Sequence, residues 1–182
     1  MGRGSRVVML LAAVVVVGGV GAVAVSSMRG ASAPETQDVP GRPEGAVAMT
    51  VEHVYDGDTL SLMGEGGGLE RVRLIGVDTP EGPGASGSDE PECGADAARD
   101  ALRGLAPEGS TLWVAPDREP RDRYDRALLY AWTADGRFVN RELVASGAGE
   151  VMVIPPNDAH EELLAAAQQK AQAQGLGIWG SC

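Results

Sequence analysis

The stretch ERVRLIGVDTPEG, residues 70–82, combines a buried-strand pattern with charges that a protein interior does not tolerate alone. Residues 72–77 are mostly aliphatic, which predicts a buried strand. The strand nevertheless contains Arg73, and it leads directly into Asp78 and Glu81. A desolvated guanidinium needs an anionic partner, and neighbouring carboxylates repel each other unless a cation or a proton lies between them. The stretch therefore predicts a site that holds both an anion and a cation.

The start of the chain has the composition of an export segment. Residues 1–6 contain two Arg and no acid, and residues 7–25 are an unbroken apolar run. This is the pattern of an export signal, and its length also approaches the roughly 20 residues that span a bilayer. Residues 1–33 are therefore expected to be a signal peptide or an N-terminal membrane anchor. Either alternative places the rest of the chain outside the cytoplasm.

The remainder divides into a linker and one domain. Residues 34–46 are rich in Pro, Gly and acids, which predicts a flexible linker, and residues 47–182 have the length of a single domain. The whole chain carries a net charge of −11, and residues 1–33 contribute only positive charge, so the remainder is more acidic still. This balance excludes broad electrostatic binding of nucleic acid. It still allows a polyanionic substrate that a few Arg side chains contact.

The two cysteines of the chain, Cys93 and Cys182, are candidates for a disulfide. An even number of cysteines in an exported protein permits such a bond. Two unpaired thiols are the alternative reading.

The patterns of apolar and turn-forming residues predict a small barrel. A charged loop is expected over residues 117–126, and Asp158 with Glu161 resembles a capping box at the start of the last helix. Five short strands, with a helix between the third and the fourth, are typical of a closed OB-fold barrel. We therefore predict a mainly β, α+β fold with strands at residues 47–55, 59–63, 70–77, 111–115 and 127–133, and helices at 94–105, 139–146 and 158–174.

Several motifs, taken in order along the chain, carry a family resemblance. They are YDGDT, RLIGVDTPE, DRYDRALLY, PPNDAHEE and GIWG. In this order and spacing, residues 49–179 resemble the staphylococcal nuclease (thermonuclease) family. The resemblance implies an OB-fold enzyme that hydrolyses phosphodiester bonds of DNA, with RNA as a second candidate, in a calcium-dependent reaction. Cleavage at the 5′-oxygen would leave 3′-phosphates.

The resemblance also implies a calcium site. By position, the carboxylates of Asp58 and Asp78 and the backbone carbonyl of Thr79 would be the ligands. Calcium is a hard cation that prefers oxygen ligands at roughly 2.3–2.6 Å, so these groups suit it if the barrel brings the two segments together. Calcium would then be the cation that the opening stretch requires.

Five further residues would act on the substrate. The resemblance gives catalytic roles to Arg73, Glu81 and Arg126, and it gives substrate-binding roles to Arg123 and Tyr124. The guanidiniums of Arg73 and Arg126 would bind the phosphodiester, since planar paired donors match its oxygens. Glu81 would position or deprotonate the attacking water, and Tyr124 would contact a terminal phosphate of the nucleotide.

The chain also departs from the family pattern. The best-known member has two Tyr beside the nucleotide base, where this chain has Met152 and Ile154. Its Lys-rich loop is replaced by an acidic loop that contains Asp89, Glu90 and Glu92. The loss of aromatic stacking and of cationic contacts predicts weaker substrate binding with a smaller dependence on salt.

Purely structural roles for the same residues remain open alternatives at this point. Asp58 could simply form a turn, Arg73 could lie on an exposed strand face, and Arg126 could pair with Asp122 or Asp125 in a solvated loop. At the level of function, the alternatives are a non-catalytic module of the same fold that binds nucleic acid or protein, and a calcium-stabilised interaction domain at the cell surface. We expect a monomer that contacts a membrane only through the N-terminal segment.

Overall fold

Three antiparallel strands begin the fold in the computed structural model, which describes residues 39–84 and 87–182. They are β1 (Val47–Val54), β2 (Thr59–Met63) and β3 (Leu69–Leu74). In β2 and β3, Leu60, Leu62 and Val72 are fully buried in the barrel interior, and Thr59 pairs with Arg73 across the two strands. The first three predicted strands therefore form an antiparallel meander, and the turn made by the sequence DGD, residues 56–58, lies beside Arg73.

The predicted continuous strand over residues 70–77 is wrong, because the chain breaks at Ile75. Gly76 has a φ of 76°, a conformation that only glycine adopts at low cost, and the short strand β4 (Gly76–Asp78) follows it. The buried Asn140 stabilises the break, since its Nδ2 donates to the Ile75 carbonyl at 2.8 Å and its Oδ1 accepts from the Ala131 N–H at 2.9 Å. After the break, β4 brings the carboxylate of Asp78 to the guanidinium of Arg73 on β3.

Two later strands close the barrel. They are β5 (Thr111–Arg121) and β6 (Ala127–Thr133), which pair with each other antiparallel. β6 also pairs with β3 in parallel, and β5 pairs with β1, so that the order around the closed barrel is β1-β2-β3-β6-β5. The predicted five-stranded OB-fold barrel is confirmed.

Helices cover the barrel and complete its core. Three correspond to those predicted from the sequence, and they share the core with the buried aromatic side chains of Trp132 and Phe138. A short fourth helix follows near residue 180. The helices are α1 (Ala95–Leu105), α2 (Val139–Ala145), α3 (Glu161–Gln174) and α4 (Ile178–Ser181). One further strand, β7 (Glu150–Met152), pairs antiparallel with β4 and was not predicted.

Two predicted boundaries are wrong because long-range contacts decide them. β5 continues to Arg121 instead of ending at Ala115, since the Asn157 side chain hydrogen-bonds the backbone of Glu119 in both directions at 2.8 Å. The predicted capping box is also wrong, because α3 begins at Glu161 with His160 as its N-cap. The Asp158 carboxylate instead lies 2.9 Å from Arg118.

Residues 39–46, the described part of the predicted linker, contact the barrel. The Trp132 indole N–H donates to the Pro40 carbonyl at 3.0 Å, and the guanidinium carbon of Arg42 lies 3.8 Å from the centre of the Trp113 ring. Trp132 is only 1% exposed, so Pro40 supplies an acceptor to a donor that water does not reach. The remaining linker residues and the apolar segment 7–25 lie outside the described residues. Within the described residues, no helix is long and apolar enough to cross a membrane.

We predict that removal of residues 39–46 destabilises the barrel. A chain of residues 47–182 leaves the Trp132 N–H without its acceptor, which should lower the free energy of unfolding by about 1–3 kcal/mol relative to residues 39–182. Urea unfolding followed by tryptophan fluorescence measures the difference. Arg42→Ala in the longer chain is the control, because it removes the contact with Trp113 but keeps the Pro40 carbonyl. Equal stability of the two chain lengths would contradict the prediction.

Candidate active site

The two acids of the DGD turn have different functions. Asp56 makes the turn, because its Oδ1 accepts hydrogen bonds from the backbone N–H groups of Asp58 at 3.0 Å and Thr59 at 2.6 Å. Asp58 points inward and is 0% exposed. Its Oδ1 accepts from the Thr59 hydroxyl at 3.0 Å and from the Arg73 guanidinium. The reading of Asp58 as a simple turn residue is therefore wrong.

Thr79 contacts the other oxygen of Asp58. Its backbone N–H and its hydroxyl donate to Asp58 Oδ2 at 3.0 and 3.2 Å. The contact depends on Gly57, since a Cβ atom there would lie 2.7 Å from both the Thr79 hydroxyl and the Cβ of Ala98. The central glycine of the DGD turn is thus required for close packing as well as for the turn.

Arg73 joins the two predicted metal ligands. Its Nη1 donates to Asp58 Oδ1, and its Nη2 donates to Asp78 Oδ1 at 2.6 Å and to the Val77 carbonyl at 3.1 Å. The side chain is only 14% exposed, so the reading of Arg73 as a surface residue is wrong. In this structure the cation between the acids is Arg73, and the acids are the anions that its burial requires.

The electrostatics leave a surplus of negative charge around Arg73. Burial raises the pKa of Asp58 to about 7, although Arg73 acts in the opposite direction. Burial also disfavours the charged form of Arg73, but Asp58 and Asp78 outweigh it and raise the pKa of Arg73 above its usual value. The single positive charge of Arg73 therefore contacts the carboxylates of Asp58 and Asp78 directly and also interacts electrostatically with Asp56 and Glu81.

Glu81 is held beside this cluster by its backbone. Its N–H donates to Glu92 Oε2 at 3.0 Å, and its carbonyl accepts from the Glu92 N–H at 2.9 Å. A disulfide between Cys93 and Cys182 follows directly and joins this segment to the residue after α4. Burial is the first cause that raises the pKa of the Glu81 carboxyl, and the negative charge of Asp56 is the second.

Arg126 and Tyr124 lie together on the loop that follows β5. Arg126 Nε donates to Asp122 Oδ2 at 2.7 Å, and its backbone N–H donates to Asp122 Oδ1 at 3.0 Å. Burial acts to raise the pKa of Asp122, but the hydrogen bonds from Arg126 and Tyr124 hold it below its usual value. The guanidinium carbons of Arg123 and Arg126 lie 4.7 and 5.6 Å from the centre of the exposed Tyr124 ring.

A cleft of about 460 Å³ lies between Arg73 and the loop that follows β5, and Glu81 is not among the residues that line it. Arg73 and Arg126 line it together with Tyr124, and Met152 and Ile154 form an apolar part of its wall. Asp58 and Asp78 lie behind Arg73 and contact it directly. The structure thus brings the predicted phosphate-binding residues to one cleft and the predicted metal ligands to its edge. Within residues 39–84 and 87–182, no group of three or more His, Cys, Asp or Glu could hold a metal ion by itself.

Two residues that support the site, Glu92 and Asp122, are only partly evident from the sequence. The sequence places Glu92 only in an acidic loop, and it offers Asp122 as one of two alternative partners for Arg126, a pairing that is confirmed. Glu92 contacts a residue 11 positions away, and no local pattern marks that contact. Asp122 had a usable signal, because an acid four residues before an Arg in a tight loop can accept both its backbone and its side-chain N–H.

Known proteins resemble this chain over most of the barrel. The family model described as "Staphylococcal nuclease homologue" matches residues 71–181. The thermonuclease of Staphylococcus intermedius is 40% identical over 129 residues, which cover 71% of this chain and 74% of that protein. The thermonuclease of Staphylococcus hyicus is 32% identical over 131 residues, 72% of this chain and 75% of that protein. Endonuclease YhcR of Bacillus subtilis is 32% identical over 150 residues, 80% of this chain but only 12% of the longer relative.

The closed barrel and its arginine-lined cleft, together with these relatives, define a nuclease that hydrolyses phosphodiester bonds of nucleic acid. The chain belongs to the staphylococcal nuclease family.

We predict that Arg73→Met destabilises the fold in a pH-dependent way. Without a divalent ion at pH 8, the buried Asp58 loses its partner, and stability should fall by about 3–5 kcal/mol. Loss of Arg73 also removes the positive charge that lowers the pKa of Asp58, so this pKa rises from its value of about 7 in the folded protein. In the unfolded chain the pKa has its ordinary value of 3.8. At pH 5 the folded form therefore holds a neutral carboxyl, and the loss should be much smaller.

Urea unfolding of wild type and Arg73→Met at the two pH values measures this difference. The matched control is the double variant with Asp58→Asn, whose neutral amide should recover much of the loss at pH 8. A loss of the same size at pH 5 and pH 8 would show that Asp58 is not the group left without a partner.

Proposed function

We propose that the chain is an exported, calcium-dependent nuclease that cleaves DNA, with RNA as a second substrate. The reaction is the attack of water on phosphorus, with expulsion of the 5′-oxygen and formation of a 3′-phosphate. One observation carries the proposal: Arg73 contacts both Asp58 and Asp78, and it lines the same cleft as Arg126.

The residues beside the cleft offer the type of ligand atom that calcium prefers. The carboxylates of Asp58 and Asp78 and the backbone carbonyl of Thr79 offer the hard oxygen donors that calcium prefers. The negative charge around Arg73 exceeds what one guanidinium balances, and the raised pKa of Asp58 reflects the cost of burying that charge. When bound, calcium would supply positive charge that reduces the repulsion between the phosphodiester and the neighbouring carboxylates.

The protein groups position the phosphate in this reaction. Arg73 keeps donors for the substrate, since its bonds to Asp58, Val77 and Asp78 do not use every N–H of the guanidinium. Arg126, which Asp122 orients, faces the same cleft. The two guanidiniums would bind the non-bridging oxygens, where negative charge develops in the transition state.

Glu81 would accept the proton of the attacking water. Its raised pKa brings the carboxylate closer to the range in which a general base is effective at neutral pH. As the new P–O bond forms, the bond to the 5′-oxygen breaks, and that oxygen takes a proton from solvent. Arg123 and Tyr124, joined by a hydrogen bond of 2.6 Å, would contact the adjacent phosphate.

Export is proposed from the N-terminal composition and from the cysteines. Residues 7–25 form the apolar segment of an export signal or an anchor, and a disulfide such as Cys93–Cys182 persists in an oxidising compartment. We also propose that the chain acts as a monomer.

A nuclease assay on single-stranded DNA tests the proposed mechanism. Cleavage should require calcium and stop with chelator. Glu81→Gln and Arg126→Ala should each lower kcat by about 10²–10³-fold, because one removes the base and the other a charge that stabilises the transition state. Glu65→Gln, in the exposed turn between β2 and β3, is the matched control and should retain wild-type kcat. Full activity in chelator, or in Glu81→Gln, would overturn the mechanism.

The apolar wall of the cleft gives a second test. Met152→Tyr and Ile154→Tyr should lower KM for a single-stranded oligonucleotide by about tenfold, since stacking of a base on an aromatic ring contributes about 1–3 kcal/mol. Leu69→Tyr, which adds a tyrosine at an exposed position outside the cleft lining, is the control. If neither cleft variant tightens binding, the nucleotide base does not contact this wall.

A further inference from the structure

Arg71 is an exposed cation beside the cleft that has an aromatic partner instead of an acidic one. Its guanidinium carbon lies 4.6 Å from the centre of the Tyr55 ring. Within residues 39–84 and 87–182, no carboxylate lies within ion-pair distance of Arg71. In an acidic chain, such a charge remains available to an anionic ligand.

Arg71 and Arg73 face the same side of β3. They are two residues apart on one strand, so both side chains project from the same face, separated by about 6–7 Å along the strand. This is about the length of one nucleotide in an extended single strand. A strand whose phosphate lies on Arg73 would therefore bring a neighbouring nucleotide to Arg71.

The strand register extends this face on both sides of Arg71. Ser61 of β2 pairs with Arg71, and His53 of β1 pairs with Ser61. On the other side, β3 pairs with β6 from Val72 and Ala127 onward, and Arg126 is the residue immediately before β6. Arg71 on β3 and His53 on β1 therefore lie on the same face of the barrel, with the buried Ser61 between them.

The aromatic pair of Tyr55 and His53 offers a surface for an unpaired base. Tyr55 is 42% exposed, and its ring meets the His53 ring edge-on, with 4.8 Å between centroids. His53 is held in turn by Glu108, whose Oε1 lies 3.0 Å from His53 Nδ1. An exposed ring with a guanidinium against it is the combination that binds single-stranded nucleic acid without preference for sequence.

We propose that Tyr55 and Arg71, with His53 supporting the Tyr55 ring, form a subsite for an unpaired nucleotide next to the scissile phosphate. The base stacks on Tyr55, and Arg71 contacts the phosphate of that nucleotide. The proposal rests on the proposed function, in which Arg73 and Arg126 bind the scissile phosphate. A paired base cannot stack on Tyr55, so the subsite accepts only an unpaired nucleotide.

The binding experiment uses the full chain in chelator, so that it reports on the subsite even if cleavage fails. Fluorescence anisotropy measures the Kd of labelled oligo(dT) strands of two to twelve nucleotides. The Kd of a labelled duplex of twelve base pairs is measured for comparison. Tyr55→Leu and Arg71→Gln should each weaken single-strand binding by about tenfold, with a smaller effect on the duplex. Tyr55→Phe keeps the ring and should bind like wild type.

Arg137→Gln is the matched charge control, because it removes an exposed arginine at the turn before α2. Melting temperatures of all variants show that they are folded. In the cleavage assay, the KM of wild type should fall as the oligonucleotide becomes longer. In Tyr55→Leu and Arg71→Gln, KM should depend less on oligonucleotide length.

Two outcomes would overturn the subsite. In one, Tyr55→Leu binds single strands as tightly as Tyr55→Phe. In the other, Arg137→Gln weakens binding as much as Arg71→Gln, so that only net charge matters. If wild type cleaves DNA and either outcome is found, the subsite is wrong while the proposed function stands. Length-dependent binding by wild type without any cleavage would leave the subsite in place and remove the proposed mechanism.

Discussion

The guanidinium of Arg73 is the contact on which the rest of this structure depends. It lies between two carboxylates from separate segments, Asp58 immediately before β2 and Asp78 at the end of β4. Burial of Asp58 is unfavourable without a cation, and the pairing of Thr59 with Arg73 places that cation opposite the DGD turn. The break at Gly76 then returns Asp78 to the same guanidinium.

This arrangement couples stability to chemistry. The groups that balance one another's charge inside the domain are also those expected to bind an ion and a phosphate. A substitution at Asp58 or Arg73 therefore changes both the free energy of unfolding and the affinity for ligands. Residues such as Asp122, which orients Arg126 from outside the cluster, offer a place where the site can change at a smaller cost to the fold.

The sequence predicts the parts of this molecule that local patterns specify. Alternating apolar residues and the DGD turn predict β1, β2 and the start of β3, and the order of the polar motifs carries the family resemblance. Three contacts were not predicted. They are the ion pairs of Arg73 with the two acids, the pairing of β4 with β7, and the hydrogen bonds between Glu92 and the Glu81 backbone. Each depends on residues that meet only after the chain has folded. The predicted capping box failed for the same reason, since Asp158 pairs with an Arg on a distant strand.

The disulfide has a consequence for the order in which the molecule matures. Asp58, Asp78 and Glu81 all precede Cys93, but the partner cysteine lies 89 residues later in the chain. Glu92, which hydrogen-bonds the Glu81 backbone, precedes Cys93 directly. The disulfide of Cys93 therefore forms only after α4 has been synthesised and the thiols have been oxidised. A newly made chain in a reducing cytoplasm has every acidic and basic group of the cleft but lacks this link. An oxidising environment adds it and joins Cys93, next to the Glu92 that contacts the Glu81 backbone, to the residue after α4.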